Sequence, residues 1–214
     1  MHPLTIGILA FQGDVIEHIQ ATKKAAEKLG IPVTIIPVRT KESLENIDAL
    51  IIPGGESTTL QKLCERENMF AEMKKIQYIF GTCAGAIMLA KTVYNKIKDQ
   101  KTLALMDMAI DRNAYGRQTE SFEKTIQTKM GTIHAVFIRA PKIKSIAKNV
   151  SILAKYKDEI LACEHKSKNN YYVAACFHPE LTTTLFHEYF LQQIQLTQGK
   201  ESGYTTNTKA NALP

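Results

Sequence analysis

Cysteine is scarce in this chain: four in 214 residues, at positions 64, 83, 163 and 176, with no Cys-x-x-Cys pair among them. That count excludes a disulfide-stapled secreted scaffold, and the spacing excludes the ligand pairs of a zinc site, so no metal is expected. Long apolar runs are also missing. None approaches the ~20 residues that cross a bilayer. Met1-His2-Pro3 leads straight into a strand pattern without the layout of a signal peptide, so a cytoplasmic protein away from membranes is expected. No internal repeat and no Pro- or Ser-rich linker divides the sequence. The lysines behind its net charge of +6 form no basic stripe interleaved with aromatics. A solvated basic surface is expected, and no nucleic-acid partner.

What is present is alternation. Residues 4–10 read as a buried strand and Gln12-Gly13-Asp14 as a turn. Val15, Ile19, Ala26 and Leu29 form one face of a helix that Gly30 caps. Residues 33–38 and 49–53 read as two more strands, the second breaking at Gly54-Gly55-Glu56-Ser57 into a helix over 58–67. Strands apolar on both faces, alternating with helices, belong to the α/β class, with a parallel sheet covered on both sides. Turn and β signals thicken over 102–138, where a small antiparallel excursion is expected. Residues 151–156, 160–165 and 171–177 read as late strands, 166–170 as a hairpin connection and 185–195 as a final helix. One domain is expected over 1–197, with a polar, disordered tail over 198–214.

Gly81-Thr82-Cys83-Ala84-Gly85 stands between the apolar stretch 76–80 and the helix-like run 86–90. Glycines two positions to either side of Cys83 match a strand-to-helix elbow, where they relieve crowding around a strained nucleophile. A helix N-terminus and an imidazolium neighbour both favour the reactive thiolate over the thiol. The Ala84 N–H, free in the first helical turn, can face the oxyanion formed when Cys83 attacks a carbonyl, and Gly54-Gly55 can offer a second donor. Far downstream, Pro179 biases His178 toward extended backbone, in which residues two apart project to one side. Glu180 can then fix the tautomer of the His178 ring. Cys83, His178 and Glu180 make a hydrolytic constellation that requires no cofactor. Cys64, Cys163 and Cys176 read as buried hydrophobes. His18, His134, His165 and His187 read as surface or satisfied core histidines.

Three segments taken together, residues 53–59, 80–85 and 177–182, resemble the class I glutamine amidotransferases. The resemblance implies a flavodoxin-like three-layer sandwich with a mostly parallel central sheet. Residues 9–15 with Glu17-His18, then 111–118 and 137–141, narrow it to the glutaminase subunits of pyridoxal 5'-phosphate synthases. It implies that Cys83 attacks the side-chain amide of L-glutamine, His178 passes a proton to the departing ammonia, and glutamate is released. Gly55, Glu56, Ser57, Arg112, Ile138 and Arg139 would line the glutamine site, with Gly55 and Ala84 forming the oxyanion hole. Arg112 suits the α-carboxylate because a guanidinium donates paired hydrogen bonds. The implied partner is a (β/α)8-barrel synthase subunit in a complex of twelve and twelve, which takes up the ammonia and reorients the Gly54-Gly55 peptide. Gln12 and Glu17-His18 are expected at the docking face. Two alternatives remain: a glutaminase serving another ammonia-channelling system, against which the 112–118 block stands, and a non-catalytic regulatory subunit, which has no need of a triad. Ala104 departs from the pattern, standing where related chains often carry glycine.

Overall fold

The computed structural model describes residues 3–114 and 121–202; the 115–118 part of the Arg112 motif and residues 203–214 of the tail lie outside them. In the parallel part of the sheet, alternate side chains go to opposite faces. From β1 (Leu4–Leu9), Leu4, Ile6 and Ile8 enter one core and Leu9 the other. β3 (Ala49–Ile52) divides Ala49 and Ile51 from Leu50 and Ile52, and β4 (Tyr78–Thr82) divides Tyr78 and Phe80 from Ile79. Helices α1 (Val15–Leu29) and α5 (Leu185–Ser202) close the first core. α2 (Ser57–Arg66), α3 (Phe70–Met73) and α4 (Ala84–Leu89) close the second. Phe80 packs against Phe186 and Phe190 in the first core. Each such ring, fully buried, stabilises the fold by about 1.5–3 kcal/mol.

With β2 (Val33–Val38) at one edge, the sheet runs β2-β1-β3-β4-β12-β11-β10-β7-β8. Here β7 is Ser121–Thr128, β8 Gly131–Ile138, β10 Val150–Tyr156, β11 Glu159–Lys166 and β12 Tyr171–Ala175. The first five strands in this order pair in parallel. From β12 outward the pairing is antiparallel, so the antiparallel part takes in the late strands as well as the 102–138 region. A branch of β5 (Ala90–Tyr94), β6 (Met106–Asp111) and β9 (Lys142–Ile146) joins at β11.

The structure departs from the sequence pattern in three places. The helical run after Cys83 is short: at Ala90 the backbone turns extended, with φ −68° and ψ 140°, and feeds directly into β5. α5 continues to Ser202, past the expected start of the tail at 198. Glu180 sits in a 3-10 turn over Pro179–Leu181 and not in extended chain. Gly30 ends α1 as expected, in the left-handed conformation, with its N–H donating to the carbonyls of Ala26 and Glu27. Ala104 has φ 55°, the backbone region for which glycine is the favoured residue. Among the described residues no helix is long and apolar enough to cross a membrane.

Candidate active site

The parallel pairing of β4 with β12, with Thr82 opposite Ala175, brings the ends of two strands nearly a hundred positions apart side by side. The Cys83 N–H donates to the Ala175 carbonyl at 2.8 Å, which fixes the nucleophile to the chain that carries His178. Cys83 itself has φ 49° and ψ −104°, a strained conformation for a residue with a Cβ. The elbow closes because Gly85 has no side chain: a Cβ there would stand 2.0 Å from the Ile52 carbonyl oxygen. Only 5% of Cys83 is exposed, and its Sγ lies 3.8 Å from the Ile138 carbonyl oxygen.

His178 stands beside Cys83, the two side chains meeting over Gly54. Gly54 permits that approach, since a Cβ there would lie 2.5 Å from His178 Cε1 and 3.3 Å from Cys83 Cβ. On the other side, His178 Nδ1 faces two carboxylates, Glu180 Oε1 at 2.8 Å and Asp14 Oδ2 at 2.8 Å. Carboxylates only accept, so Nδ1 carries the proton. Burial opposes a charged imidazole, but the hydrogen bonds to Asp14, Cys83 and Glu180 outweigh it and push the His178 pKa up. Burial likewise opposes a charged Glu180. The charge of His18 and the hydrogen bonds from His178 and His18 overcome it and hold the carboxyl far below its ordinary range. Asp14, His178 and Glu180 bring one ligand atom each within 4.8 Å of one another. A divalent cation there would need a neutral imidazole, whereas this arrangement favours the protonated one.

These groups open onto a cavity of about 670 Å³. Its wall contains Cys83 and His178 with Gly55, Glu56, Ser57, Arg112, Ile138 and Arg139, alongside Asp14. Glu180 stands behind His178, and Ala84 is buried at the elbow. Glu56 caps α2: its carboxylate accepts from the Thr58 and Thr59 N–H groups at 3.0 and 2.6 Å, and Arg112 Nη2 donates to it at 2.6 Å. Partial burial alone would raise the Glu56 pKa; the bonds from Thr58 and Thr59 bring it below the usual value. Gln12 donates from Nε2 to the Glu56 carbonyl at 2.7 Å, joining the first turn of the chain to the cavity rim. A larger hollow, about 770 Å³, lies beneath Lys74, Lys91 and Lys96, but no histidine or cysteine lines it.

A sequence profile described as the SNO glutamine amidotransferase family matches residues 8–196. The chain belongs to this family. The protein from Pyrococcus horikoshii named pyridoxal 5'-phosphate synthase subunit PdxT is 42% identical over 199 residues, covering 89% of this chain and 100% of that protein. The PdxT subunit of Thermosipho africanus is 44% identical over 199 residues, covering 90% of this chain and 100% of its own. A solved structure described as a crystal structure of glutamine amidotransferase superposes with a TM-score of 0.75 at 40% identity, covering 88% of this chain and 98% of that one.

Around this candidate site the sequence did not single out Asp14 and Thr82, while His18 and His187, read as surface or satisfied core histidines, are buried and hydrogen-bonded in the core. His18 is fully buried, so it cannot belong to a docking face as expected, whereas Ile16 on the same helix is 64% exposed. A helical position on the inner face of α1 was the available signal, since a histidine at such a position is held by partners that only the fold supplies. Cys64, Cys163 and Cys176 are buried, and burial pushes all three thiols up, Cys64 and Cys163 to about 12.

Proposed function

We propose that this chain hydrolyses L-glutamine to L-glutamate and ammonia and hands the ammonia to a (β/α)8-barrel synthase subunit that builds pyridoxal 5'-phosphate. The observation that carries this reading is the alignment of Cys83, His178 and Glu180 beside a cavity that also holds the Arg112–Glu56 pair. Cys83 sulfur attacks the side-chain amide carbon, and the carbonyl oxygen takes the negative charge. N–H groups of Gly55 and Ala84 receive that oxyanion. His178 gives its proton to the leaving nitrogen, the C–N bond breaks, and ammonia departs from a glutamyl thioester. His178 then takes a proton from water, hydroxide displaces the sulfur, and glutamate leaves. Glu180 keeps Nδ1 protonated throughout, so that the other ring nitrogen does the proton transfer.

The paired charges of Arg112 and Glu56 are complementary to an amino-acid zwitterion. Arg112 takes the α-carboxylate, Glu56 faces the α-ammonium, and Ser57, Ile138 and Arg139 complete the walls. The relatives named as synthase subunits support the partner, and docking of twelve copies on a barrel dodecamer reorients the Gly54-Gly55 peptide.

The test is glutamate release from glutamine by the purified chain, alone and with the barrel subunit, with Cys83→Ser as the blank. Release that the partner raises and C83S abolishes is expected. Release indifferent to the partner would move the glutaminase to another synthase, and none under either condition would leave a regulatory subunit.

A further inference from the structure

Behind the triad lies a buried pair of histidines that the proposed chemistry does not use. His18, on α1, is 0% exposed and His187, on α5, 1%. His18 Nε2 lies 3.0 Å from Thr82 Oγ1 and 3.4 Å from Glu180 Oε1, and its Nδ1 lies 3.0 Å from His187 Nε2. One ring therefore touches both arms of the site: Thr82 directly precedes the nucleophile, and Glu180 backs the base. Glu180 only accepts, so its carboxylate favours a hydrogen on His18 Nε2, which Thr82 Oγ1 at 3.0 Å can also accept. Glu180 Oε2 and His187 Nδ1 are buried with no partner among the described residues, which leaves the His18 contact as the polar link from this carboxylate into the helical layer. The titratable groups facing His18 are Glu180 from the turn after β12 and His187 from α5. Asp14 and Cys83 join the same group through His178.

We propose that His18, held by His187, is a positioning residue that locks the Glu180 carboxylate against His178 and ties it to the Thr82–Cys83 elbow, so that the thiolate–imidazolium pair persists on acidification. The proposal rests on Cys83 being the nucleophile but not on glutamine being the substrate.

The pH dependence of Cys83 alkylation by iodoacetamide, read by peptide mass spectrometry on the full chain, tests it without substrate. His18→Leu removes the N–H, and His18→Gln restores a donor at nearly the same place. With H18L the acid limb of the alkylation profile is expected to move up by at least about half a pH unit, because Glu180 then protonates at higher pH. With the barrel subunit present, kcat for glutamate release should fall about tenfold or more with little change in KM. H18Q should return most of both. His187→Phe, which keeps a ring against Phe80, should shift the profile the same way by less, and it decides the matter if H18L does not fold. A folded H18L or H187F with the wild-type profile, or H18Q as impaired as H18L, overturns the proposal. Normal alkylation behaviour without any glutamate release from the wild-type chain instead overturns the glutaminase reading alone.

Discussion

Asp14 and Glu180 reach the same atom: each places a carboxylate oxygen 2.8 Å from Nδ1 of His178, one from the turn before α1 and the other from the turn after β12. The two differ in burial. The Glu180 side chain is fully enclosed, whereas that of Asp14 is 31% exposed at the cavity wall. Glu180 is thus suited to orient the ring, and Asp14 to add charge that solvent partly screens.

Asp14→Asn should therefore leave kcat at neutral pH within a few-fold of wild type while moving the alkaline limb of the pH–rate profile downward, since an imidazolium facing one fewer negative charge loses its proton earlier. Glu180→Gln should lower kcat about 10³-fold across the profile by allowing the wrong tautomer. Profiles of glutamate release for both variants separate the two roles; equal losses would show that the carboxylates are interchangeable.

Of the seven described residues with a Cβ and positive φ, Cys83 and Ala104 hold it for different reasons. At Cys83 (φ 49°) the strain serves the elbow, while Ala104 (φ 55°) is exposed and away from the cavity. Cys83→Gly should exceed Cys83→Ala in unfolding free energy by about 1 kcal/mol, and both should be inactive. Ala104→Gly should stabilise by a similar amount, about 1 kcal/mol, with full activity. Urea unfolding of the three variants measures both differences.

Arg112→Lys should raise KM for glutamine about tenfold or more and change kcat little, because a lysine cannot form the paired bonds of a guanidinium to a carboxylate. A fall confined to kcat would place Arg112 in the chemical step.

Stability should peak near pH 6.5. His187 is pushed down to about 3, first by burial and then by the charge of His18, so the folded state resists a proton that the unfolded chain accepts. The stability it contributes is present above about 6.5 and is lost as pH falls toward 3, at up to about 1.4 kcal/mol per pH unit. His178 acts in the opposite sense. Its pKa is raised, so its contribution is full below about 6.5 and is lost as pH rises. His187→Phe should flatten the acid side of a stability–pH curve measured by urea unfolding and leave the alkaline side unchanged.

Local chemistry in the sequence was enough to determine the elbow around Cys83, the cap at Gly30 and the alternation of buried strands and helices. Each depends on residues within one turn or one strand: glycine where a Cβ would meet the backbone, and apolar side chains at period two or near period four. The choice of His178 and Glu180 as partners was legible for the same reason, since they are two positions apart, although the contact is made through a 3-10 turn and not through extended chain. Tertiary structure decided what those residues meet. Parallel pairing of β4 with β12 sets Cys83 beside His178, and no local pattern encodes which strands become neighbours. Folding of α1 back over the strand ends delivers Asp14 and His18 to the triad, and α5 delivers His187. Taken one at a time in sequence, these three side chains look like ordinary polar residues. Burial gives His18 and His187 their roles, and contact with the His178 ring gives Asp14 its own; both arise only once elements far apart in the chain have packed.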